Sequence, residues 1–496
     1  MRLVKFCIKG FRNYRENNCI ELDNLTAIIG KNDAGESTIL EAMDTYFNGT
    51  KLDSGDYAIG GTNEIRLTAY FGDLPEAIII DEANPISLQN EYLLNNEGLL
   101  VVEKVYKGAS PAHKETYIVA NHPSADNVDD LLTLKIIELR QRAHSLGVDL
   151  SDVNGTIKSA IRQRIWSECV DLNLTEQKIL IKDEDTKKIA DKIEDYMPAY
   201  SLFKSDRPST DQDEEAQDPM QAAIKEAMKA QEEVLNEIAA VVEREVRVIA
   251  DQTVAKLRTM DIDLASQLTP VFKTDWSKVF KLSLTSDDAI PLNKRGSGVK
   301  RLILLNFFRA EAERRQRELH VPSIIYAIEE PETSQHPSHQ RKLIEAFIAL
   351  SRTDNTQIIL TTHSPAIVKM LDFEHLKLII DGTSKEILNI ERGNLPYPSL
   401  NEVNFLAFGE SNDEYHNELY GYIESEGELT NYNRGQATVH YNKQKGNTIC
   451  TQQICMSEYI RHQIHHPENT HNARFTDAQL QQSICNMRDF IKNNLL

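Results

Sequence analysis

The stretch that most narrows the fold is NLTAIIG, Asn24 to Gly30, an apolar strand pattern that runs straight into the loop GKNDAGEST. STILEAMDTYF follows with helical spacing, Ile39, Leu40, Met43 and Phe47 falling on one side. A strand, a glycine-bounded turn and a helix in that order can wrap the backbone around an anion. The glycines permit the close approach, and the helix start presents unpaired N–H groups. Gly30 to Thr38 matches the pattern of a phosphate-binding loop at every position except one, Glu36, where a lysine is expected. Gly30, Lys31, Asn32, Asp33, Ala34, Gly35, Glu36, Ser37 and Thr38 are therefore candidate phosphate contacts, with Ser37 placed to ligate Mg²⁺. A glycine-rich turn of no function is the competing reading of this segment alone.

Three later segments bear on the choice. SIIYAIEEPETSQHP, Ser323 to Pro337, is an apolar strand ending in adjacent carboxylates. Glu329 could hold Mg²⁺ and Glu330 could polarise an attacking water as general base. QIILTTHSP, Gln357 to Pro365, is an apolar strand ending in Thr-His, which puts His363 at its carboxyl end. In an open α/β sheet both strand ends emerge at the edge where ligands bind. LNKRGSGVKRLILLNFF, Leu292 to Phe308, is a basic Gly-Ser turn before an apolar helix, where Ser297 and Gly298 could meet a phosphate. Each segment has a bland alternative: an ordinary acidic strand end, a structural histidine, a helix cap. All of them in one fixed order point away from coincidence.

The rest of the chain organises around these motifs. RLVKFCI, EIRLTAYF and LLVVEKVY read as further strands, so residues 1–125 form a β-rich lobe holding the loop. Charged helical patterns then take over 126–268, interrupted by the acidic, proline-containing stretch 205–219, whose composition suits a solvated loop. Beyond it Ile224, Met228, Leu235, Ile238, Val242 and Ile249 recur at helical steps, giving a long amphipathic helix for packing within its own domain or at a dimer interface. Strand patterns return over 269–394, and a polar tail follows at 395–496. The expectation is an α/β fold split by a helical insertion, with a mainly helical C-terminal region. A net charge of −21 argues against a surface coated with duplex DNA, though a local basic groove or a basic partner stays open. Neither an apolar run of spanning length nor a leader-like N-terminus is present, so a cytoplasmic location without membrane contact is expected. The scattered cysteines, Cys7, Cys19, Cys169, Cys450, Cys455 and Cys485, suit reduced thiols better than a disulfide framework or a zinc site.

The motif order resembles the ABC ATPase superfamily, in the branch that holds SMC-like and OLD-like proteins. FRNY, Phe11 to Tyr14, looks like that branch's early motif, whose arginine, here Arg12, reaches the nucleotide. EEPETSQHP looks like its combined Walker B element and D-loop. The resemblance covers residues 1–75 and 270–385 specifically. It implies an ABC-type ATPase head that uses ATP and Mg²⁺, with His363 meeting the γ-phosphate. It also implies ATP sandwiched between two heads, Ser297 and Gly298 completing the loop of a second copy, and hence a homodimer or higher homo-oligomer.

Within that branch, KLIIDGTSKEILNIERGNLPYPSLNEV after His363 lacks the acidic DxD pair of a Toprim nuclease. The helical segment 126–268 is far too short for the coiled coil of a chromosome-organising SMC protein. LFKSDRPSTDQDEEAQDPM and NEVNFLAFGESNDEYHNELYG are similar to stretches of PtuA-type ATPases from Septu anti-phage systems, which also occur beside some retrons. That resemblance implies a small HNH nuclease partner, PtuB-like, contact with nucleic acid through the complex, and a tail used for docking or oligomerisation. Two alternatives remain. In YIRHQIHHPEN, Arg461 and His466 have the R-x4-H spacing of HEPN ribonucleases, against the simpler reading of a helix stopped by Pro467. The other alternative is a DNA-repair ATPase that binds duplex ends.

Glu36 separates fold from activity. The family lysine places positive charge where negative charge develops on the transferring phosphoryl group. One unit-charge pair at ~4 Å and an effective dielectric near 20 is worth about 4 kcal/mol, and a carboxylate turns that attraction into repulsion. Slow or absent hydrolysis and weakened affinity follow, and Lys31, just after the first glycine, is no obvious substitute. The residue could belong to a subunit that senses nucleotide without turnover, be protonated or swung out, or be an engineered change. Glu36→Lys is expected to raise ATP turnover, measured as phosphate release; no gain in a folded, dimeric protein would refute the charge argument.

Overall fold

In the computed structural model, the chain is described except at residues 32–33, 62, 76–77, 82–83, 109–112, 183, 205–230, 232–233, 245, 248–322, 334–335, 382–384, 391–398, 447 and 496. Asn32, Asp33, Ser297, Gly298 and the acidic stretch 205–219 lie outside the described residues. So do the strands expected just after residue 269.

The described strands are β1 (Arg2–Lys9), β2 (Asn18–Glu21), β3 (Leu25–Gly30), β4 (Glu64–Gly72), β5 (Ile78–Asp81), β6 (Asn84–Ile86), β7 (Leu100–Lys107), β8 (His113–Pro123), β9 (Leu174–Leu180), β10 (Ala199–Phe203), β11 (Ile324–Ile328), β12 (Thr356–Thr361), β13 (Leu376–Asp381), β14 (Lys385–Asn389), β15 (Thr438–Lys445) and β16 (Thr448–Cys455). They build two six-stranded sheets and two hairpins. One sheet is antiparallel, in the order β2-β1-β4-β7-β8-β9. The other, β10-β11-β12-β3-β13-β14, is parallel except for its last strand. The chain is thus mixed α/β, as the motif order predicts.

Burial explains the mixed sheet. All residues of β3, β11 and β12 are buried, as strands covered on both faces must be. The helix after β3, α1 (Glu36–Asn48), lays Ile39, Leu40 and Met43 into the core that also receives Phe6, Ile8 and Phe71 of the antiparallel sheet. Phe47, expected on the same side, is partly buried against that core and stacks on Tyr200 of β10 at 5.5 Å. The two sheets thereby share one hydrophobic interior. A buried ion pair, Arg162 to Glu91 at 2.8 Å, crosses its far side.

The boundary of the insertion differs from the sequence reading. Compact units divide the chain into Met1–Ser205 with Ala312–Leu496, and Asp206–Glu311. Residues 126–205 belong to the first unit because β9 extends the antiparallel sheet and β10 extends the mixed one. β9, LTEQKIL, is largely exposed, so it lacks the apolar alternation by which a strand is recognised. In the second unit residues 234–244 are helical, in line with the amphipathic pattern, yet Ile238 and Val242 are exposed.

Cys7 and Cys19 are directly paired across β1 and β2 and form a disulfide, contrary to the expectation of reduced thiols. Cross-strand register, invisible in the linear spacing, brings them together. Cys169, Cys450, Cys455 and Cys485 are free.

The C-terminal region is mainly helical with the β15–β16 hairpin set into it. Its helices Asp413–Ser425, Met456–His465 and Asp477–Asn494 enclose a separate core of Leu419, Ile423, Ile460, Ile484 and Met487. The fully buried Glu402 carboxylate is held by the Tyr415 hydroxyl and by Arg488, Nε to Oε2 2.9 Å. His416, also fully buried, sits with Nε2 3.0 Å from the Ser483 hydroxyl. Burial first, and then the charge of Arg461, pull the His416 imidazole down to about 4. A histidine depressed on folding stabilises fully above its ordinary value near 6.5, and that contribution is lost as pH falls toward 4. At pH 5 the loss amounts to about 2 kcal/mol. Urea unfolding at pH 7.5 and pH 5 should show that difference in the wild type and a smaller one in His416→Gln; equal pH dependence in both would refute this account.

Candidate functional site

Three neighbouring parallel strands end together. Ile328 of β11 pairs with Leu360 of β12, and Thr361 pairs with Ile28 of β3. The phosphate-type loop, the acid pair and the Thr-His end therefore emerge at one edge of one sheet, where open α/β sheets bind ligands.

At the end of β11, Glu329 donates its N–H to the Phe203 carbonyl at 2.8 Å, which carries β10 to the same edge. Glu330 then takes a left-handed backbone, φ 39°, a conformation that costs a non-glycine residue roughly 1–3 kcal/mol. Its N–H is held by the Thr361 carbonyl at 3.1 Å and the Thr361 hydroxyl at 3.2 Å. The Glu330 carboxylate accepts from Thr333 at 2.9 Å and lies 3.5 Å from His363 Nε2. A carboxylate beside an imidazole can order and polarise a water between them.

Glu332 is a site residue that sequence reasoning did not single out. One oxygen accepts from the Thr362 hydroxyl at 2.7 Å and from the His363 N–H at 3.0 Å, while the other is buried without a hydrogen bond. Burial raises its carboxyl above the ordinary range against the pull of these donors. Glu332 thus ties the turn after β11 to the end of β12 and fixes the backbone that presents His363. Its place in the EEPE run was the available signal.

The loop itself is held from below. Gly35 has φ 106°, which only glycine adopts readily, and its carbonyl accepts from the buried Tyr14 hydroxyl at 3.1 Å. The FRNY segment therefore contacts the loop through Tyr14. Arg12 is held by Asp56, Nε to Oδ1 2.9 Å, and by Glu41 on α1, which also takes Lys204. Burial works against the Arg12 charge, but Asp56 and Glu41 outweigh it and raise its pKa. Lys31 is exposed, Ala34 and Thr38 are buried, and Ser37 is half-buried at the first turn of α1.

Glu36 is not swung out to solvent. It is 4% exposed, and its Oε2 accepts from the Gly35 N–H at 3.0 Å. Its Oε1 is buried without a hydrogen bond and lies so close over Gly30 that any Cβ there would stand 2.6 Å from it. The carboxyl thus packs over Gly30 beside Ala34, with one oxygen on the Gly35 N–H. Burial raises its pKa, opposed by its own N–H, by His363, by the Gly35 N–H and by Lys385. Lys385, at the start of β14, reaches the Ala34 carbonyl and lies 5.8 Å from the Tyr14 ring. Nothing in its sequence context marks it as a loop residue.

The loop holds the Glu36 carboxyl through the Gly35 N–H. Ser37, Glu329, Glu330 and His363 offer the oxygen and imidazole chemistry that a Mg²⁺-nucleotide needs. Phosphate entry requires the Glu36 carboxylate to leave or to be neutralised.

Arg461 and His466 have different partners. Arg461 pairs with Glu424 at 2.9 Å and lies 4.4 Å over the Tyr420 ring. His466, just past its helix, is exposed, with Nδ1 3.2 Å from Glu468. Among the described residues no helix is long and apolar enough to cross a membrane.

A protein from Thermus scotoductus described as an OLD nuclease is 34% identical over 94 residues, covering 19% of this chain and 17% of that protein. The chain therefore matches less than a fifth of that relative's length. Among solved structures, the SMC head domain from Thermotoga maritima is 14% identical, covering 79% of this chain and all of its own, with a TM-score of 0.32. An Smc head with coiled coil and joint derived from Pyrococcus yayanosii is 13% identical, covering 78% of this chain and 97% of its own, with a TM-score of 0.35. These structural likenesses are remote. The family described as AAA ATPase domain matches residues 1–368, most of the chain, and this protein is a member of that family.

Proposed function

We propose that this chain is the ATP-binding, ABC-type ATPase subunit of an anti-phage defence complex, similar to the PtuA-type ATPases of Septu systems. The observation that supports the nucleotide reading is the meeting of the Gly30–Thr38 loop, Glu329–Glu330 and His363 at one sheet edge. Membership of an ATPase family agrees with it. In this reading the loop holds the phosphates, Ser37 and Glu329 hold Mg²⁺, Glu330 acts as general base and His363 faces the γ-phosphate. Bound Mg²⁺ would supply charge neutralisation on the phosphates. Arg12, engaged with Asp56 and Glu41, orders the start of α1 rather than standing ready as a free cation.

Dimerisation follows from the division of motifs. One chain carries one loop and one signature turn, so Ser297 and Gly298 of a second copy would close the site. ATP binding then sets the geometry of two heads and, through it, a partner HNH nuclease acting on nucleic acid. The partner assignment rests on the similarity of Leu202 to Met220 and Asn401 to Gly421 to PtuA-type sequences. The ribonuclease alternative is disfavoured by Arg461, whose guanidinium is committed to Glu424 and Tyr420. No observation favours a protein that binds duplex ends by itself, and the net charge of −21 counts against it.

Light scattering with and without Mg-ATP tests the core of this reading. The expected outcome is ATP binding with a shift to a dimer or higher oligomer, and loss of the shift in Ser297→Arg with binding retained. Co-purification of an HNH protein encoded beside this one is expected as well. The nucleotide reading falls if neither the wild type nor Glu36→Lys binds ATP. The partner reading falls if the ATP-bound chain ignores that HNH protein.

A further inference from the structure

The phosphate loop lacks its lysine, yet a lysine reaches the loop from elsewhere in the fold. We propose that Lys385 is the phosphate-binding cation of this site, supplied by the β13–β14 hairpin in place of the residue that Glu36 replaces. This inference rests on the nucleotide reading above and adds a residue to it.

The topology accounts for the placement. β13 runs parallel to β3, with Ile379 paired to Gly30, the first residue of the loop. β13 continues two residues further, to Asp381, and β14 begins opposite it, Asp381 pairing with Lys385. Lys385 therefore stands beyond the carboxyl end of β3, at the level of the loop. Its ammonium donates to the Ala34 carbonyl and lies near the Tyr14 ring, whose hydroxyl holds Gly35.

A second observation points to a ligand at the same place. The Glu36 carboxylate, 4% exposed, packs over Gly30 with one oxygen on the Gly35 N–H and the other without a hydrogen bond. A buried carboxylate oxygen left unsatisfied is costly, so the arrangement favours exchange for an anion that accepts from more of the surrounding donors. Lys385 and His363 are the cationic or protonatable groups whose fields reach that carboxylate. When a phosphate displaces Glu36, the ammonium of Lys385 is the charge positioned to meet it. A lysine on a flexible stem can transfer from a carbonyl to a phosphate without moving the backbone.

Calorimetric titration of the full chain with Mg-ATPγS tests the assignment. Lys385→Ala should weaken binding roughly tenfold to a hundredfold, the scale of one charge-assisted hydrogen bond, and Lys385→Arg should recover most of the loss. In a Glu36→Lys background, where the loop regains its own cation, Lys385→Ala should change affinity by less than about threefold. Circular dichroism melts check that each variant folds, with Lys385→Met replacing Lys385→Ala should the latter unfold. Equal affinity in the wild type and in folded Lys385→Ala or Lys385→Met overturns the proposal and leaves the nucleotide site standing. Absence of binding in the wild type, Glu36→Lys and the double variant overturns both.

Discussion

The insertion of β3 between β12 and β13 is the constraint on which the rest of this protein depends. Residues 25–30 pair in parallel with residues more than three hundred positions later, on both sides. Parallel neighbours need crossovers and cover on both faces, so the pairing obliges the flanking helices to pack and draws the antiparallel sheet over α1. Ile28 and Ile29 of β3 and Ile358 and Ile359 of β12 are fully buried. Each such side chain stabilises the fold by roughly 1.5–3 kcal/mol, enough in sum to hold an edge at which polar groups are left poorly satisfied.

That edge carries several such groups. Glu330 occupies a left-handed backbone, Glu36 is buried and Glu332 half-buried, and each of the latter two keeps one buried oxygen without a hydrogen bond. Burial raises the pKa of both. Cost concentrated at one place, with a rigid sheet beneath it, is the pattern of a site built to receive something. Glu36 turns back into its own loop, where the Gly35 N–H holds one carboxyl oxygen. Burial disfavours its charged form, and the neighbouring His363 and Lys385 favour it.

The C-terminal region extends this arrangement instead of standing apart. The His363 ring lies 6.4 Å from Phe408, and Asn404 donates to the Pro365 carbonyl at 3.2 Å, so the helix Leu400–Phe408 backs the turn that presents the histidine. Behind it, Glu402 ties that helix to Tyr415 and Arg488. Breaking a buried pair by removing one partner typically costs about 3–5 kcal/mol, so this helix is firmly joined to the rest of the tail.

The linear sequence determined the local elements and the chemistry they carry. NLTAIIG, SIIYAI and QIILTT are apolar runs whose strand character and terminal residues are readable because burial on both faces demands them. Gly30, Gly35, Ser37, Glu329, Glu330 and His363 are recognisable for the same reason: a fixed backbone task selects a residue type at a fixed place. β9 escaped notice because an exposed edge strand needs no apolar alternation, and the Cys7–Cys19 bond because register is a relation between strands. Only the tertiary structure decided that Glu36 folds into its own loop, that Glu332 holds the His363 turn, and that Lys385 arrives beside Ala34. The last two are contacts between segments apart in the chain, created by the pairing of β11 with β12 and of β3 with β13. A pairing has no signature in either partner alone, and the first depends on how the loop itself is folded.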